Sequence, residues 1–243
     1  MVASSAPDIR DLILGTGAFG PSEVHRLREA LGRHTTAHRD LRAAVKELEG
    51  HSDRSPAASV KLGICQRLLG RAREALDTLK SGDGGAMALF HQGLAHAELA
   101  AHDKACEAFA AARKAGYDAA ACAAATAGSL RASGKLAEAR QELDRVAAES
   151  AASADWWHAR GAVLADSGAP LADTVAAYEK AVSLDPGHPS ALFALGVVHD
   201  RLGNDDEARA CYEKSLERFP PSLGSLLNLG VMFEDRDDFA RAQ

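Results

Sequence analysis

The sequence predicts an all-α protein, a right-handed α-solenoid of repeated helix hairpins preceded by an N-terminal helical cap. Two observations lead to this fold class. A small residue in the middle of an apolar helical stretch recurs along the chain, and aromatic residues make up only 5% of a sequence that uses alanine heavily. Small core side chains favour closely packed helices, and the 47% apolar content is enough for a continuous core.

The repeat is clearest near the end of the chain, where Gly196 and Gly230 lie 34 residues apart (230 − 196 = 34). Each unit has a first helix with this small residue at its centre, a turn, and a second helix with a small residue followed by a large one. We expect the central small residues to be buried on first helices, and the large residues to fill the gap that the next repeat leaves. Six small residues share this frame: Gly63, Gly93, Ala127, Gly161, Gly196 and Gly230.

Further residues recur at matching places in these units. A turn glycine falls on Gly70, Gly134, Gly168 and Gly203, a second-helix alanine on Ala75, Ala105, Ala139 and Ala208, and a closing proline on Pro186 and Pro220. Over roughly residues 56–243 this pattern resembles the tetratricopeptide repeat (TPR) family. Thr174 departs from the family pattern, because it stands at the alanine position of its repeat.

The helical spacing divides the chain into two predicted parts. Residues 1–50 are expected to form a loose tail and a two-helix cap, with apolar residues at helical spacing in 24–31 and 41–48. Residues 51–243 are expected to form a TPR solenoid of about six repeats. Counted from Gly230, the chain ends early in the second helix of the sixth repeat, so we expect a fragment whose last repeat is truncated.

The TPR resemblance implies a binding surface, because in that family the first helices line an inner, concave face. The inward positions are the residues three before and one after each central small residue. In the first and third repeats they are Val60, Ile64, Ala124 and Gly128. The candidate partner-binding residues are Phe90, Leu94, His158, Ala162, Phe193, Val197, Leu227 and Val231.

This predicted lining is mostly apolar, so we expect it to hold a protein or peptide segment such as an amphipathic helix. Lys61 and Asn228 alone do not rebuild the lysine, arginine and asparagine clamp with which the family's best-known variant binds a carboxylate. The alternative is that tight superhelical curvature buries some of the lining positions.

Two motifs resemble those of nucleotide-binding and kinase sites but lack the other residues and elements that such sites need. The segment 15–20 matches Gly-x-Gly-x-x-Gly, and the residues from His38 to Leu41 resemble the sequence of a kinase catalytic loop. A kinase also needs an asparagine for magnesium, where this chain has Val45, and a dinucleotide site needs a strand–helix–strand unit. We interpret the glycines as a turn before the cap.

His34 and His38 have metal-compatible spacing, but no further ligand pair completes a site. We predict no enzyme activity, no cofactor and no metal.

The charge and the cysteines limit the partners and the location. The chain has 28 basic and 34 acidic residues, a formal charge of −6, which argues against nucleic acid as a partner. Four cysteines without a Cys-x-x-Cys pair predict buried thiols in a reducing compartment. Without a stretch typical of a signal peptide or a membrane span, a cytoplasmic protein is expected.

These observations favour a non-enzymatic interaction scaffold, and self-association is a further expectation. The alternative is the N-terminal regulatory module of a larger bacterial protein, since Asn228 to Arg236 resembles bacterial TPR proteins that carry a domain similar to the C-terminal domain of the RNA polymerase α-subunit. That resemblance implies a role in transcription. A third hypothesis, an enzyme, depends on the glycine motif alone.

Overall fold

The computed structural model describes residues 8–17, 19–51, 54–148, 150–217 and 223–234, and all regular secondary structure in these ranges is α-helical. The prediction of an all-α fold is confirmed. Within each of its two units, consecutive helices pack against each other, and several pairs form hairpins of the kind that build an α-solenoid. The chain forms two compact units, residues 1–133 and 134–243.

The first unit holds the cap and the first repeats. Its described helices are α1 (Ile9–Leu14), α2 (Pro21–Arg33), α3 (Ala37–Gly50), α4 (Pro56–Leu68), α5 (Ala72–Lys80), α6 (Ala86–Glu98), α7 (His102–Lys114) and α8 (Ala119–Ala132). The predicted repeat hairpins α4–α5 and α6–α7 both form.

The second unit continues the same pattern. Its described helices are α9 (Leu136–Asp144), α10 (Ala154–Asp166), α11 (Leu171–Leu184), α12 (Pro189–Arg201), α13 (Asp205–Ser215) and α14 (Leu223–Glu234). Hairpins α10–α11 and α12–α13 form here. Pro189 occupies the first turn of α12, where its missing N–H leaves no helical hydrogen bond unmade. Pro220 and the predicted helix stub 239–243 lie outside the described residues.

The cap has three helices, one more than the sequence predicted. Asp8 begins α1, because its carboxylate accepts hydrogen bonds from the backbone N–H groups of Arg10 (2.9 Å) and Asp11 (3.2 Å). Ile9 and Ile13, one helical turn apart, are buried in one cluster with the apolar faces of α2 and α3. A six-residue helix is too short to stand out as a periodic pattern, and this packing is what holds it.

In four of the repeats, the central glycine contacts a large side chain of the second helix of its own hairpin. A Cβ built on Gly196 would lie 2.6 Å from the ring of Tyr212, and one on Gly161 would lie 2.6 Å from the ring of Tyr178. Phe109 lies on Gly93 in the same way. The same rings also meet the next repeat, as expected: Tyr178 packs in one cluster with Leu195 and Val198 of α12, and Tyr212 packs with Leu229 and Met232 of α14.

All six central small residues lie on first helices, as expected. Five of them are buried and Gly230 is half-buried. Gly230 differs because the second helix predicted to pack on it would lie beyond α14, outside the described residues.

Turn geometry explains the recurring glycine between the helices of a hairpin. Gly70, Gly168 and Gly203 have φ values of 77°, 69° and 72°, in the left-handed region that glycine adopts without a steric penalty. Ala100 takes the same place between α6 and α7 with φ of 56°. An alanine in this conformation is strained by contact of its Cβ with the backbone.

The cysteines were predicted as buried thiols, which holds for two of them. Cys65 and Cys122 are buried, whereas Cys106 and Cys211 are half-buried on second helices. Among the described helices, none combines the length and the apolar character needed to cross a membrane.

Candidate functional site

The predicted partner-binding residues lie on the first helices of the hairpins in both units. Phe90 and Leu94 belong to α6 in the first unit. In the second unit, His158 and Ala162 belong to α10, Phe193 and Val197 to α12, and Leu227 and Val231 to α14. The prediction that they form one continuous surface combines residues of two units and stays a prediction.

The inner positions of the first repeat, Val60 and Ile64, are covered in part by the cap. These two residues are 7% and 0% exposed, in a cluster with Val24 of α2 and with the half-buried ring of Phe19. The alternative, in which lining positions are buried, is correct for this pair. The N-terminal part of the chain supplies some of this cover, through Phe19 and Val24, and neighbouring repeat helices supply the rest, through Leu79 of α5 and Ala88 of α6.

Lys61 lies between these two residues and contacts the N-terminal segment directly. Its Nζ donates a hydrogen bond of 2.9 Å to the backbone carbonyl of Gly15, and it lies 5.3 Å from the centroid of the Phe19 ring. This second contact is a cation–π interaction. Partial burial lowers the pKa of Lys61.

The Phe90 face of α6 is partly taken by the loop after α7. The rings of Phe90 and Tyr117 stack at 4.2 Å with an interplanar angle of 13°, and Phe109 lies at 5.5 Å on the other helix of the hairpin. Leu94 remains half-buried one turn further along α6. Tyr117 was not singled out by the sequence, because it lies 27 residues from Phe90 (117 − 90 = 27), outside the matched helices.

A buried polar network joins α4 and α6 beside this face. The Nε of Arg67 donates to Nδ1 of His91 (3.2 Å), and its guanidinium also pairs with Glu98 (2.6 Å). Burial, with the nearby positive charges of Arg67 and Arg28, lowers the pKa of His91 to about 3. His91 is therefore neutral and accepts the Arg67 hydrogen bond. The network holds two neighbouring repeats together and has no reactive group left over.

In the second unit, His158 is surrounded by other rings. Its ring centroid lies 5.2 Å from that of His188 and 5.9 Å from that of Tyr178. His188 is itself fixed, since its Nδ1 accepts from the N–H of Ala191 and its Nε2 lies 3.0 Å from Asp155. This pairing assigns the Nε2 proton to the contact with Asp155. Ala162, next along α10, is buried and offers little surface.

Phe193 and Val197 are half-buried and pack against the last two helices. Both lie on the cluster formed by the buried apolar residues of α13 and α14. The Phe193 ring is 6.0 Å from that of Tyr212, and a Cβ on Gly224 would lie 2.7 Å from it. These two side chains therefore contribute to packing as well as to surface.

Helix α14 exposes a long apolar face. Leu227 and Val231 are 60% and 57% exposed, and Leu223 and Leu226 are exposed as well. The helix has no charged residue before Glu234. Asn228, on the same helix, donates from its side-chain amide to the Tyr212 hydroxyl (2.9 Å). Among the predicted lining residues, Leu227 and Val231 are the most accessible to a partner.

The motifs that resembled catalytic sequences have structural roles in the described chain. His38 to Leu41 form the first turns of α3, with Leu41 fully buried and Asp40 paired to Arg39 (3.1 Å). Burial raises the pKa of the Cys65 thiol to about 12, far from the range of a nucleophile. Within the described residues, no three histidine, cysteine or acidic side chains are arranged to hold a metal ion.

Comparison with known proteins identifies the repeat. Residues 189–222 match the family model of the tetratricopeptide repeat. The structure of the APC/C hetero-tetramer Cut9-Hcn1 contains a chain that superposes with a TM-score of 0.72 at 13% sequence identity, covering 96% of this chain and 46% of the other. PilF of Pseudomonas aeruginosa superposes with a TM-score of 0.60 at 17% identity, covering 82% of this chain and 88% of its own. At these identities the likeness shows the fold alone.

Curated relatives match a shorter part of the chain. The peroxisomal targeting signal receptor of Komagataella phaffii is 36% identical over 73 residues, which is 30% of this chain and 13% of the receptor. The receptor of Pichia angusta matches over the same shares of both chains. The match spans only 13% of the length of these relatives. Residues 189–222 are thus a tetratricopeptide repeat by their family-model match, and the glycine–aromatic hairpins found in both units have the form expected of that repeat.

Proposed function

We propose that this chain is a non-enzymatic scaffold that binds an apolar segment of another protein, a peptide or an amphipathic helix, on the inner faces of its first helices. TPR proteins generally mediate protein–protein interaction, which supports the class of function. The proposal concerns the ligand and its place on the repeats.

The observation that carries the proposal is the exposed apolar face of α14. Leu227 and Val231 lie one helical turn apart, so they point to the same side of the helix. Both are more than half exposed. Large apolar side chains clustered on one exposed face are typical of contact surfaces, and an amphipathic helix or an extended apolar segment matches a face without charge.

The polar residues that could hold a ligand carboxylate are already engaged. Lys61 donates to the Gly15 carbonyl and Asn228 to the Tyr212 hydroxyl. This supports recognition through apolar side chains of the partner more than through its chain terminus. The curated relatives are named as receptors for a targeting signal, which supports a short protein segment as the ligand class.

The test is selection of peptides from a random display library by the purified chain, followed by titration of a selected peptide. We expect Leu227→Ser and Val231→Ser each to weaken binding by about 1–3 kcal/mol, the range for burial of one aliphatic side chain. Because both side chains are exposed, the unfolding free energy should stay within about 0.5 kcal/mol.

Leu202→Ser is the matched control, since Leu202 is an exposed leucine in the turn after α12 and not on a predicted inner position. It should leave peptide binding unchanged. Equal affinity of the selected peptide for the unaltered chain, the two α14 variants and the control would contradict the proposed place of binding.

A further inference from the structure

The first and sixth repeats present the same two positions in opposite states. Val60 and Ile64 precede and follow Gly63 as Leu227 and Val231 precede and follow Gly230. The first pair is buried and the second pair is more than half exposed. Part of the cover of the first pair comes from a segment of this chain that lies outside the repeats.

Two residues of the N-terminal segment, Gly15 and Phe19, contact this repeat beside α2, while Leu79 of α5 and Ala88 of α6 complete the cluster from the repeats. The Phe19 ring packs on the cluster that contains Val60 and Ile64, and the Gly15 carbonyl accepts the hydrogen bond of Lys61. Lys61 also lies over the face of the Phe19 ring. One lysine thus holds a backbone carbonyl and an aromatic ring at once.

These contacts are the kind that a bound peptide would make. An aromatic side chain on two aliphatic ones, together with a carbonyl on a lysine, combines apolar burial with one oriented polar contact, as peptide sites do. The glycine motif, which has no catalytic context, gains a role here. It supplies the segment that contacts Val60, Lys61 and Ile64.

Gly15 and Phe19 lie between α1 and α2, and both ends of this segment are hydrogen-bonded to those helices. The segment is therefore present beside Val60, Lys61 and Ile64 at high effective concentration. The N–H of Gly15 donates to the carbonyl of Asp11 at the end of α1 (3.0 Å), and the N–H of Gly20 donates to the Glu23 carboxylate at the start of α2 (2.9 Å). The contact itself is small: one hydrogen bond, one cation–π contact and one half-buried ring. A partner with more contacts could displace it, provided that it binds the open state more tightly.

We propose that Gly15 and Phe19 act as an intrachain ligand of the first repeat, which closes a binding site for an aromatic-bearing protein segment at Val60, Lys61 and Ile64. This proposal rests on the proposed function, because it assumes that the inner faces bind protein segments. It adds the chemistry of the ligand for this repeat, and it means that the site opens only when the N-terminal segment leaves.

A peptide of this chain's own residues 8–26, carrying a fluorescent label, tests the proposal by anisotropy titration. We expect the unaltered full chain to bind this peptide weakly or not at all, because its own Gly15 and Phe19 already occupy the site on α4. The full chain with Phe19→Ala should bind it at least about tenfold more tightly, since the competing ring is gone. Phe19→Leu should give a smaller gain and is the safer variant for folding. Circular dichroism verifies that each variant is folded.

Three controls make the result specific. Leu12→Ala shortens another half-buried residue of the same segment that packs on the cap and not on Val60 and Ile64, so it should give no gain. A peptide carrying its own Phe19→Ala should not bind. Adding Lys61→Met to the Phe19→Ala chain should abolish the gain. If the folded Phe19→Ala and Phe19→Leu chains bind the peptide no better than the unaltered chain, or if Lys61→Met leaves a gain intact, the proposal is wrong.

This outcome is separable from failure of the proposed function. The display experiment measures peptide binding at α14 in the second unit, whereas the peptide titration measures binding at α4 in the first unit. A chain that binds selected peptides through Leu227 but never the N-terminal peptide would refute the intrachain ligand alone.

Discussion

The inner face of α4 and the inner face of α14 use the same two repeat positions for different purposes. In α4 these positions hold Val60 and Ile64, which are buried under Phe19 and Val24. In α14 they hold Leu227 and Val231, which face solvent. The repeat frame therefore decides on which side of a helix a residue lies, and the neighbouring segments decide whether that side is core or surface.

The difference matters because an apolar residue contributes to stability in one place and to binding in the other. Burying an aliphatic side chain stabilises the folded state by roughly 1.5–3 kcal/mol. The same side chain left in water contributes little until a partner covers it. The two faces should consequently respond in opposite ways to the same substitution.

The largest expected effect comes from shortening Ile64. Ile64→Ala should lower the free energy of unfolding by about 2–5 kcal/mol, because it leaves a cavity in a fully buried site. Val231→Ala should change it by less than about 0.5 kcal/mol, because Val231 is exposed. Urea denaturation of both variants tests the pair. Similar losses in both would show that α14 is covered like α4.

Glycines at the two kinds of position should differ in the same way. Gly196→Leu should destabilise the chain by about 1–3 kcal/mol or more, because even a Cβ would lie 2.6 Å from the Tyr212 ring. Gly128 occupies an inner position on α8, where a Cβ would meet no atom within 4 Å. Gly128→Ala should stabilise the helix by about 0.5–1 kcal/mol. Thermal unfolding of both variants tests this, and a stable Gly196→Leu chain would contradict the close approach of α12 and α13.

Acid should weaken the first unit through His91. Its pKa is lowered to about 3 in the folded chain, from an ordinary value of 6.5. Below pH 6.5, His91 is therefore protonated in the unfolded chain but stays neutral in the folded chain. The stabilisation is complete above pH 6.5 and is lost as the pH falls from there towards 3, by at most about 1.4 kcal/mol per pH unit.

His91→Gln keeps an acceptor for Arg67 but cannot titrate, so it should flatten the dependence of unfolding free energy on pH between about 6.5 and 4. His25→Gln, at an exposed residue of α2, is the control and should keep the slope of the unaltered chain. Helix α14 contains no titratable residue before Glu234, so no such effect is expected from its apolar face. An unchanged slope in His91→Gln would mean that His91 is not the proton acceptor.

A further small effect concerns the turns, where positive φ values occur in both units. Ala100 is in the left-handed region at a place where Gly203 is found in another repeat. Ala100→Gly should stabilise the chain and Gly203→Ala should destabilise it, each by about 1 kcal/mol. Differential scanning calorimetry should show the opposite shifts in melting temperature. Shifts of the same sign would contradict the turn geometry.

Features that depend on local spacing could be predicted from the sequence. The repeat frame located all six central small residues on first helices. The large residue that follows the small one on a second helix was also expected, and Tyr178 and Tyr212 pack on the next repeat as expected. Their contact with the central glycine of their own hairpin was not expected, because helical spacing shows which residues share a face but not every neighbour that the face meets.

The sequence did not predict contacts between distant segments. The covering of Val60 and Ile64 by Phe19, the stacking of Tyr117 on Phe90 and the Arg67–His91 hydrogen bond all join residues that belong to no shared periodic pattern. Such contacts depend on how loops return to the repeats. They also decide which of the predicted binding residues are accessible.

Hydroxyl-radical footprinting of the unaltered chain, read by mass spectrometry, tests most directly whether the two faces differ in accessibility and whether the exposed one binds. Leu227 and Val231 should be oxidised at least about tenfold faster than Val60 and Ile64, because the reaction needs solvent contact. The α14 pair is 60% and 57% exposed, against 7% and 0% for the α4 pair. A selected peptide should then protect Leu227 and Val231 and leave Leu202 unchanged. Equal oxidation rates of the two pairs, or a bound peptide that leaves α14 unprotected, would contradict the division of the inner positions into core and binding surface.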